Sequence, residues 1–88
     1  MKIKVTAEDI ARGFRRKPSL CPVALASRRA FNSLTVSVGL NVAGNFVVQD
    51  YSTPNFRECE IRDARINAII CAYDDGDGMD PFEFEVEA

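Results

Sequence analysis

The sequence contains no histidine and no tryptophan in 88 residues. Without histidine, the chain lacks the usual general base near neutral pH and the commonest transition-metal ligand. We therefore expect a protein that is not an enzyme and that holds no metal ion or cofactor. The longest apolar runs are about six residues. A membrane span needs roughly 20, so the sequence argues against a membrane partner.

Cysteine is also scarce, and its pattern excludes two kinds of site. Cys21, Cys59 and Cys71 are widely spaced, odd in number and without a Cys-x-x-Cys pair, so neither a zinc set nor a disulfide framework is predicted. Residues 1–6 run straight into a polar segment with no apolar h-region of a signal peptide, so we expect a cytosolic protein with reduced, buried thiols. Cys21 alone lies beside basic residues at a predicted helix start, a setting that lowers a thiol pKa.

What the sequence does have is an uneven distribution of charge. Residues 1–31 hold eight of the eleven basic residues against two acids, a net charge of 8 − 2 = +6. Residues 32–88 hold three arginines against eleven acids, a net charge of 3 − 11 = −8. This asymmetry indicates an anionic partner for one face. The length and the 47% hydrophobic content are typical of one soluble globular domain, residues 1–88.

Hydrophobic periodicity predicts the first helices and strands. Alternation at residues 2–5 indicates a strand, and Thr6 is placed to cap a short helix that ends at Gly13. A second helix is expected to begin within residues 19–22 and to end near Phe31. Because these helices follow a strand directly, the chain begins β-α-α.

The second half of the sequence continues with strands and one helix. Residues 34–42 and 46–51 predict a β-hairpin, followed by a turn at 52–55 and a strand at 56–61. A helix capped by Asp63 and a last strand with Phe82, Phe84 and Val86 facing inward complete the order β-α-α-β-β-β-α-β. We expect an α+β fold, a small antiparallel-rich sheet with helices packed on one face.

A basic loop is the first candidate site. Its cations lie just before the second predicted helix, whose free N–H groups could bind phosphate or carboxylate together with them. The alternative is a solvated loop that only aids solubility. The acidic half of the chain would repel nucleic acid, which argues against direct DNA or RNA binding. The candidate ligand-binding residues are Arg12, Arg15, Arg16 and Lys17.

An acidic segment is the second candidate site. Residues 74–87 contain seven acids in fourteen residues, a density that could mimic nucleic-acid phosphates on the basic surface of a partner. The alternative is the solvated outer face of an edge strand, where charge discourages aggregation. The candidate partner-binding residues are Asp74, Asp75, Asp77, Asp80, Glu83 and Glu85.

A calcium loop is not predicted in the same segment. With Gly78 at the sixth position of an EF-hand loop, Asp75 and Asp77 take positions three and five. Tyr73 and Phe84 then occupy positions one and twelve, where carboxylates are needed. A glycine-rich helix end is the better interpretation.

Four short motifs resemble a group of small bacteriophage and prophage proteins without an assigned function. They are Thr-Ala-Glu-Asp-Ile at 6–10, Cys-Pro-Val-Ala-Leu-Ala at 21–26, Asp-Asp-Gly at 74–76 and Pro-Phe-Glu-Phe at 81–84. Relatives often carry another cysteine just before the second motif, where this chain has Pro-Ser-Leu at 18–20. The resemblance implies a compact binder such as an inhibitor of host immunity, a modulator of a host enzyme or a sponge for a signalling nucleotide.

Together these features predict a non-enzymatic binding protein in the cytoplasm of a bacterial host cell. The first hypothesis is an inhibitor that contacts a host protein of anti-phage defence or nucleic-acid handling. The second is a sponge that sequesters an anionic nucleotide with Arg15, Arg16 and Lys17. So small a chain would need a homo-oligomer to build a nucleotide pocket between subunits.

Overall fold

The computed structural model describes residues 1–52 and 56–87. Most of the turn predicted at 52–55 therefore lies outside the described residues. The elements occur in the predicted order β-α-α-β-β-β-α-β, which confirms the α+β class. Their bounds are β1 Lys2–Val5, α1 Ala7–Arg12, α2 Pro22–Phe31, β2 Val36–Leu40, β3 Phe46–Asp50, β4 Arg57–Glu60, α3 Ala64–Asp74 and β5 Phe82–Glu85.

The strands form two small antiparallel sheets instead of the single sheet expected from the sequence. β1 pairs with β5 in a two-stranded sheet, and β2, β3 and β4 form a three-stranded meander. Alternation along a strand specifies which side chains face inward, but it does not specify the neighbouring strand. Among the residues that the structure describes, this division leaves four strands without a neighbouring strand on their outer side, namely β1, β2, β4 and β5.

One apolar core joins the two sheets and the helices. Ile3 and Phe84 enter it from the two-stranded sheet, and Val38 and Val48 enter it from the meander. The helices contribute apolar side chains from one face each, namely Val23, Ala24 and Ala26 of α2 and Ile66 and Ile70 of α3. Burial of these side chains is the main stabilising contribution to the fold.

The helix starts follow the capping rules. The hydroxyl of Thr6 accepts a hydrogen bond from the backbone N–H of Asp9, and the Asp9 carboxylate accepts one from the N–H of Thr6. Asp63 accepts from the N–H of Arg65 at the start of α3. Gly13 ends α1 where a Cβ would lie 2.6 Å from Cδ of Pro22, so only glycine fits between the two helices.

No helix in residues 1–52 and 56–87 is long and apolar enough to cross a membrane.

Candidate functional site

The basic loop between α1 and α2 folds back on itself. The N–H of Phe14 donates to the carbonyl of Leu20 at 3.0 Å, and the N–H groups of Leu20 and Cys21 both donate to the carbonyl of Lys17. Arg16 has a positive φ of 59°, in the left-handed region that non-glycine residues rarely adopt. These bonds and this turn direct Arg15 and Arg16 toward the end of α3.

Arg15 binds the C-terminal end of α3. Its Nη1 donates to the backbone carbonyls of Tyr73 and Asp77, the latter at 2.7 Å. Its guanidinium also lies 4.2 Å from the centre of the Tyr73 ring. A cation at a helix C-terminus satisfies carbonyls that have no intrahelical donor and meets the negative end of the dipole. Arg15 therefore acts as a cap for α3.

Arg16 contacts the first residues of the acidic segment. Its backbone N–H donates to Oδ1 of Asp74 at 3.2 Å, and its Nε donates to the Asp74 carbonyl at 2.9 Å. Its Nη2 lies 4.0 Å from Oδ1 of Asp75, a long and exposed ion pair. The two candidate sites that the sequence placed in separate segments therefore meet on one surface.

The other two basic candidates lie apart from this junction. Arg12 pairs with Glu8 at 3.1 Å on the exposed side of α1. Lys17 forms no ion pair with any residue of the described ranges. It lines a cavity of about 160 Å³, together with Cys21 and the carboxyl residue Asp74. This volume is below the roughly 300 Å³ of an ordinary small-molecule pocket.

Two of the three cysteines match the expectation of buried thiols. Burial raises the pKa of the Cys21 thiol, although backbone N–H groups of α2 favour the thiolate. Desolvation therefore outweighs the basic surroundings and the helix start that would favour a Cys21 thiolate. Cys21 and Cys59 are buried as predicted, whereas Cys71 is exposed on the outer face of α3.

The acidic candidates differ in how far they are neutralised. Glu83 lies 3.8 Å from the Lys2 ammonium, and Glu85 lies 3.5 Å from the amino group of Met1. Both distances are long and both glutamates are more than half exposed, so these pairs remove little of the negative field. The carboxylates of Asp77 and Asp80 take part in no ion pair within the described part of the chain.

An acidic cleft between β4 and β5 was not predicted from the sequence. Its volume is about 490 Å³, and it combines carboxylates of two segments that are far apart in the chain. The local sequence of residues 58–63 and of residues 85–87 does not indicate that the two segments lie side by side in the fold. The cleft is lined by Asn41, Val47, Glu58, Cys59, Glu60, Arg62, Asp63, Glu85, Val86 and Glu87.

Glu60 is the best-anchored carboxylate of this cleft. It accepts hydrogen bonds from Nε of Arg62 at 2.9 Å, from the Asn45 amide at 3.2 Å and from the Asn41 amide. Arg62 and the two amides favour the ionised form and lower the pKa of Glu60 to about 2. Glu60 is therefore a fixed negative charge at neutral pH. Across the described ranges, no group of three or more metal-binding side chains is placed to hold an ion.

Comparison with protein-family models, curated proteins and solved structures finds no match to this chain.

The contacts of Arg15 lead to a prediction about the acidic segment. Arg15→Ala should lower the free energy of unfolding by about 1–2 kcal/mol, because two carbonyl bonds and one cation–π contact are lost. Amide hydrogen exchange in residues 71–77 should become faster than in the wild-type protein. Urea unfolding followed by circular dichroism, together with exchange mass spectrometry, measures both effects.

Arg12→Ala is the matched control for that prediction. It removes one arginine of the same loop region, but its partner Glu8 is an exposed i, i+4 neighbour worth about 0.3–0.5 kcal/mol. Equal exchange rates at residues 71–77 in the two variants would show that Arg15 does not cap α3.

Proposed function

We propose that this chain is a non-enzymatic binding protein that inhibits a host protein by direct contact through its acidic surface. That surface comprises the acidic candidates Asp74, Asp75, Asp77, Asp80, Glu83 and Glu85. The partner in this proposal is a bacterial protein of anti-phage defence or nucleic-acid handling, in the cytoplasm of the cell that a phage infects. The resemblance to phage and prophage proteins supports this choice of partner.

The observation that carries the proposal is the set of hydrogen bonds from Arg15 and Arg16 to the backbone of the acidic segment. The Nη1 donors of Arg15 and the Nε donor of Arg16 bind backbone carbonyls of residues 73, 74 and 77, so they hold the acidic segment in place. Five of the six acidic residues are exposed, and the side chains of Asp75 and Glu85 are 80% and 67% exposed. A held array of exposed carboxylates suits the basic surface of a protein that normally binds phosphates.

The basic loop is less suited to the alternative, a nucleotide sponge. Anion binding there would require Arg15 and Arg16 to exchange carbonyl bonds for phosphate bonds, close to the carboxylate of Asp74. The neighbouring cavity of about 160 Å³ is also small for a nucleotide. The inhibitor is therefore the function that the geometry supports best.

The test compares the wild-type chain with Asp75→Asn/Asp77→Asn/Asp80→Asn as bait in bacterial lysate. We expect the wild type to retain a basic nucleic-acid-handling protein, identified by mass spectrometry, and the triple variant to lose it. Added duplex DNA should displace the retained protein. A control variant, Arg12→Gln/Lys17→Gln, removes surface charge of the other sign and should retain it.

Two results would overturn the proposal. One is retention that does not change in the triple variant, because the acidic surface would then play no part. The other is a native mass of the purified chain that includes a bound nucleotide and returns to the bare mass in Arg15→Ala/Arg16→Ala. That result would assign the chain to the sponge instead.

A further inference from the structure

The four edge strands of the two sheets differ in whether other residues hydrogen-bond to their outer sides. On the outer side of β2, the N–H of Val38 donates to the carbonyl of Pro18 at 2.9 Å. On the outer side of β1, the carbonyl of Lys4 accepts from Nη2 of Arg29 at 2.9 Å. Within residues 1–52 and 56–87, the backbone groups of β4 and β5 receive no such bond on their outer sides. Two of the four edges are thus available for strand pairing.

The register identifies which backbone groups point to these open edges. In an antiparallel pair, the residues that exchange hydrogen bonds alternate with residues whose N–H and C=O point outward. The N–H of Ile61 donates to Phe46, so the outward positions of β4 are Glu58 and Glu60. The N–H of Val86 donates to Met1, so the outward positions of β5 are Glu83 and Glu85 by the same alternation. All four outward positions are glutamates.

The same two edges border the acidic cleft. Glu58 and Glu60 line one wall, and Glu85 and Glu87 line the other. Sγ of Cys59 donates to the carbonyl of Glu87 at 2.9 Å, which joins the two walls at one point. Counting Asp63, the cleft has five carboxylates against the single guanidinium of Arg62. The excess of negative charge in the cleft therefore favours a cationic occupant. The unpaired backbone groups of the open edge favour an extended segment.

We infer that the open edge of β4 pairs with an extended segment of the partner protein that carries Lys or Arg at alternate positions. Its backbone hydrogen-bonds to Glu58 and Glu60, while its cations lie between these carboxylates and those of Glu85 and Glu87. This inference rests on the proposed function and names the chemistry of the partner segment. Strand addition to a sheet edge is a general mode of peptide recognition.

A second copy of this chain fits the edge less well than a basic segment. Its own open edges carry glutamates at the outward positions, so pairing would place glutamate opposite glutamate. Like charges directly opposite each other destabilise a strand pair, whereas opposite charges stabilise it. The edge charges thus disfavour self-association and favour a basic partner.

The experiment uses a fluorescein-labelled heptapeptide of alternating lysine and threonine as the probe. Fluorescence anisotropy should detect binding to the full chain, and nuclear magnetic resonance should show the amides of Glu58 and Glu60 shifting on addition of peptide. The same peptide with N-methyl groups on alternate residues has the same charge but lacks the donors that pair with the edge. It should bind at least about tenfold more weakly, which corresponds to roughly 1.4 kcal/mol.

Two variants separate the cleft from the general negative charge of the chain. Glu58→Gln/Glu85→Gln should weaken binding of the unmodified peptide about tenfold. Glu8→Gln removes an exposed carboxylate of α1, outside the cleft and outside the acidic surface, and should leave the affinity within about twofold. Equal binding of the N-methylated peptide, or equal weakening by the two variants, would overturn strand pairing and leave only general charge attraction.

Two further outcomes are distinguishable. A dimer in sedimentation equilibrium, with the amides of Glu58 and Glu60 protected in the dimer, would assign the edge to a second copy and overturn the inference. If the peptide does not bind, but the lysate partner is still lost in Asp75→Asn/Asp77→Asn/Asp80→Asn, the proposed function stands and the strand-pairing inference falls.

Discussion

Asn67→Ala should lower the free energy of unfolding by about 2–4 kcal/mol, the largest effect expected from a single polar substitution in this chain. Oδ1 of Asn67 accepts from the N–H of Phe46 at 2.7 Å, and its Nδ2 donates to the carbonyl of Ile61 at 2.8 Å. Both bonds are buried and tie α3 to the ends of β3 and β4. The alanine variant leaves two buried backbone groups without partners, and each such group costs about 1–3 kcal/mol.

Urea unfolding followed by circular dichroism would measure this change. The control is Arg65→Ala on the same helix, which removes an exposed ion pair to Asp63 and should change stability by less than about 0.5 kcal/mol. If Asn67→Ala lowered the free energy of unfolding by less than about 1 kcal/mol, the prediction would be contradicted, because water would then replace both hydrogen bonds of the amide.

Asn67→Asp tests the donor and the acceptor separately. The aspartate keeps an acceptor for the N–H of Phe46 but points a second oxygen at the carbonyl of Ile61. We expect it to be at least as destabilised as the alanine variant at neutral pH. It should recover part of its stability when acid protonates the carboxyl and restores a donor.

Asp9→Ala should cost about 2–3 kcal/mol, the second-largest effect. The Asp9 side chain is only 6% exposed and accepts two hydrogen bonds from Arg29, both at 2.7 Å. Its loss leaves the N–H of Thr6 without an acceptor, and the guanidinium of Arg29 keeps only the carbonyl of Lys4. Because Arg29 is 54% exposed and can be rehydrated, the expected cost lies below that of a fully buried ion pair.

The matched control for Asp9 is Glu8→Gln in the same helical turn. Glu8 pairs with Arg12 on the exposed side, so this substitution should cost less than about 0.5 kcal/mol. Equal unfolding midpoints for Asp9→Ala and Glu8→Gln would contradict the role given to the Asp9–Arg29 pair.

The same residue predicts a dependence of stability on pH. Burial raises the pKa of Asp9, but the hydrogen bonds from Arg29 and Thr6 outweigh it and lower the pKa below its ordinary value of 3.8. A lowered folded-state pKa means that the contribution of Asp9 is fully present above the unfolded pKa. It is lost as the pH falls through the folded pKa. Unfolding midpoints measured between neutral and acidic pH should therefore fall less steeply in Asp9→Asn than in the wild-type protein.

The parts of this fold that could be predicted from the sequence depend on near neighbours. The cap at Thr6, the break at Gly13 and the hairpin turn at 43–45 are specified within a few residues, and all occur where expected. The inward side chains Phe84 and Val86 also follow from alternation alone.

The parts that could not be predicted depend on pairs that are far apart in the chain. Arg15 and Asp77 were placed in two separate sites because nothing in either segment indicates a contact across sixty-two positions. The sequence around Asn67 is an apolar helical pattern that does not indicate a role for its side-chain amide. That role depends on the ends of β3 and β4, which the amide contacts in the fold. Cys71 was expected in the core, but the helix turns it away from Ile70 and toward solvent.

The division into two sheets also has a consequence for the order of folding. In the meander, successive strands are joined by short connections, so their loops close at little entropic cost. The other sheet pairs Ile3 with Phe84, residues from nearly opposite ends of the chain. On a ribosome the meander can therefore assemble early, while Ile3 and Val5 stay without their partner strand until β5 has been synthesised. We expect this last pairing to set the time at which the chain completes its core.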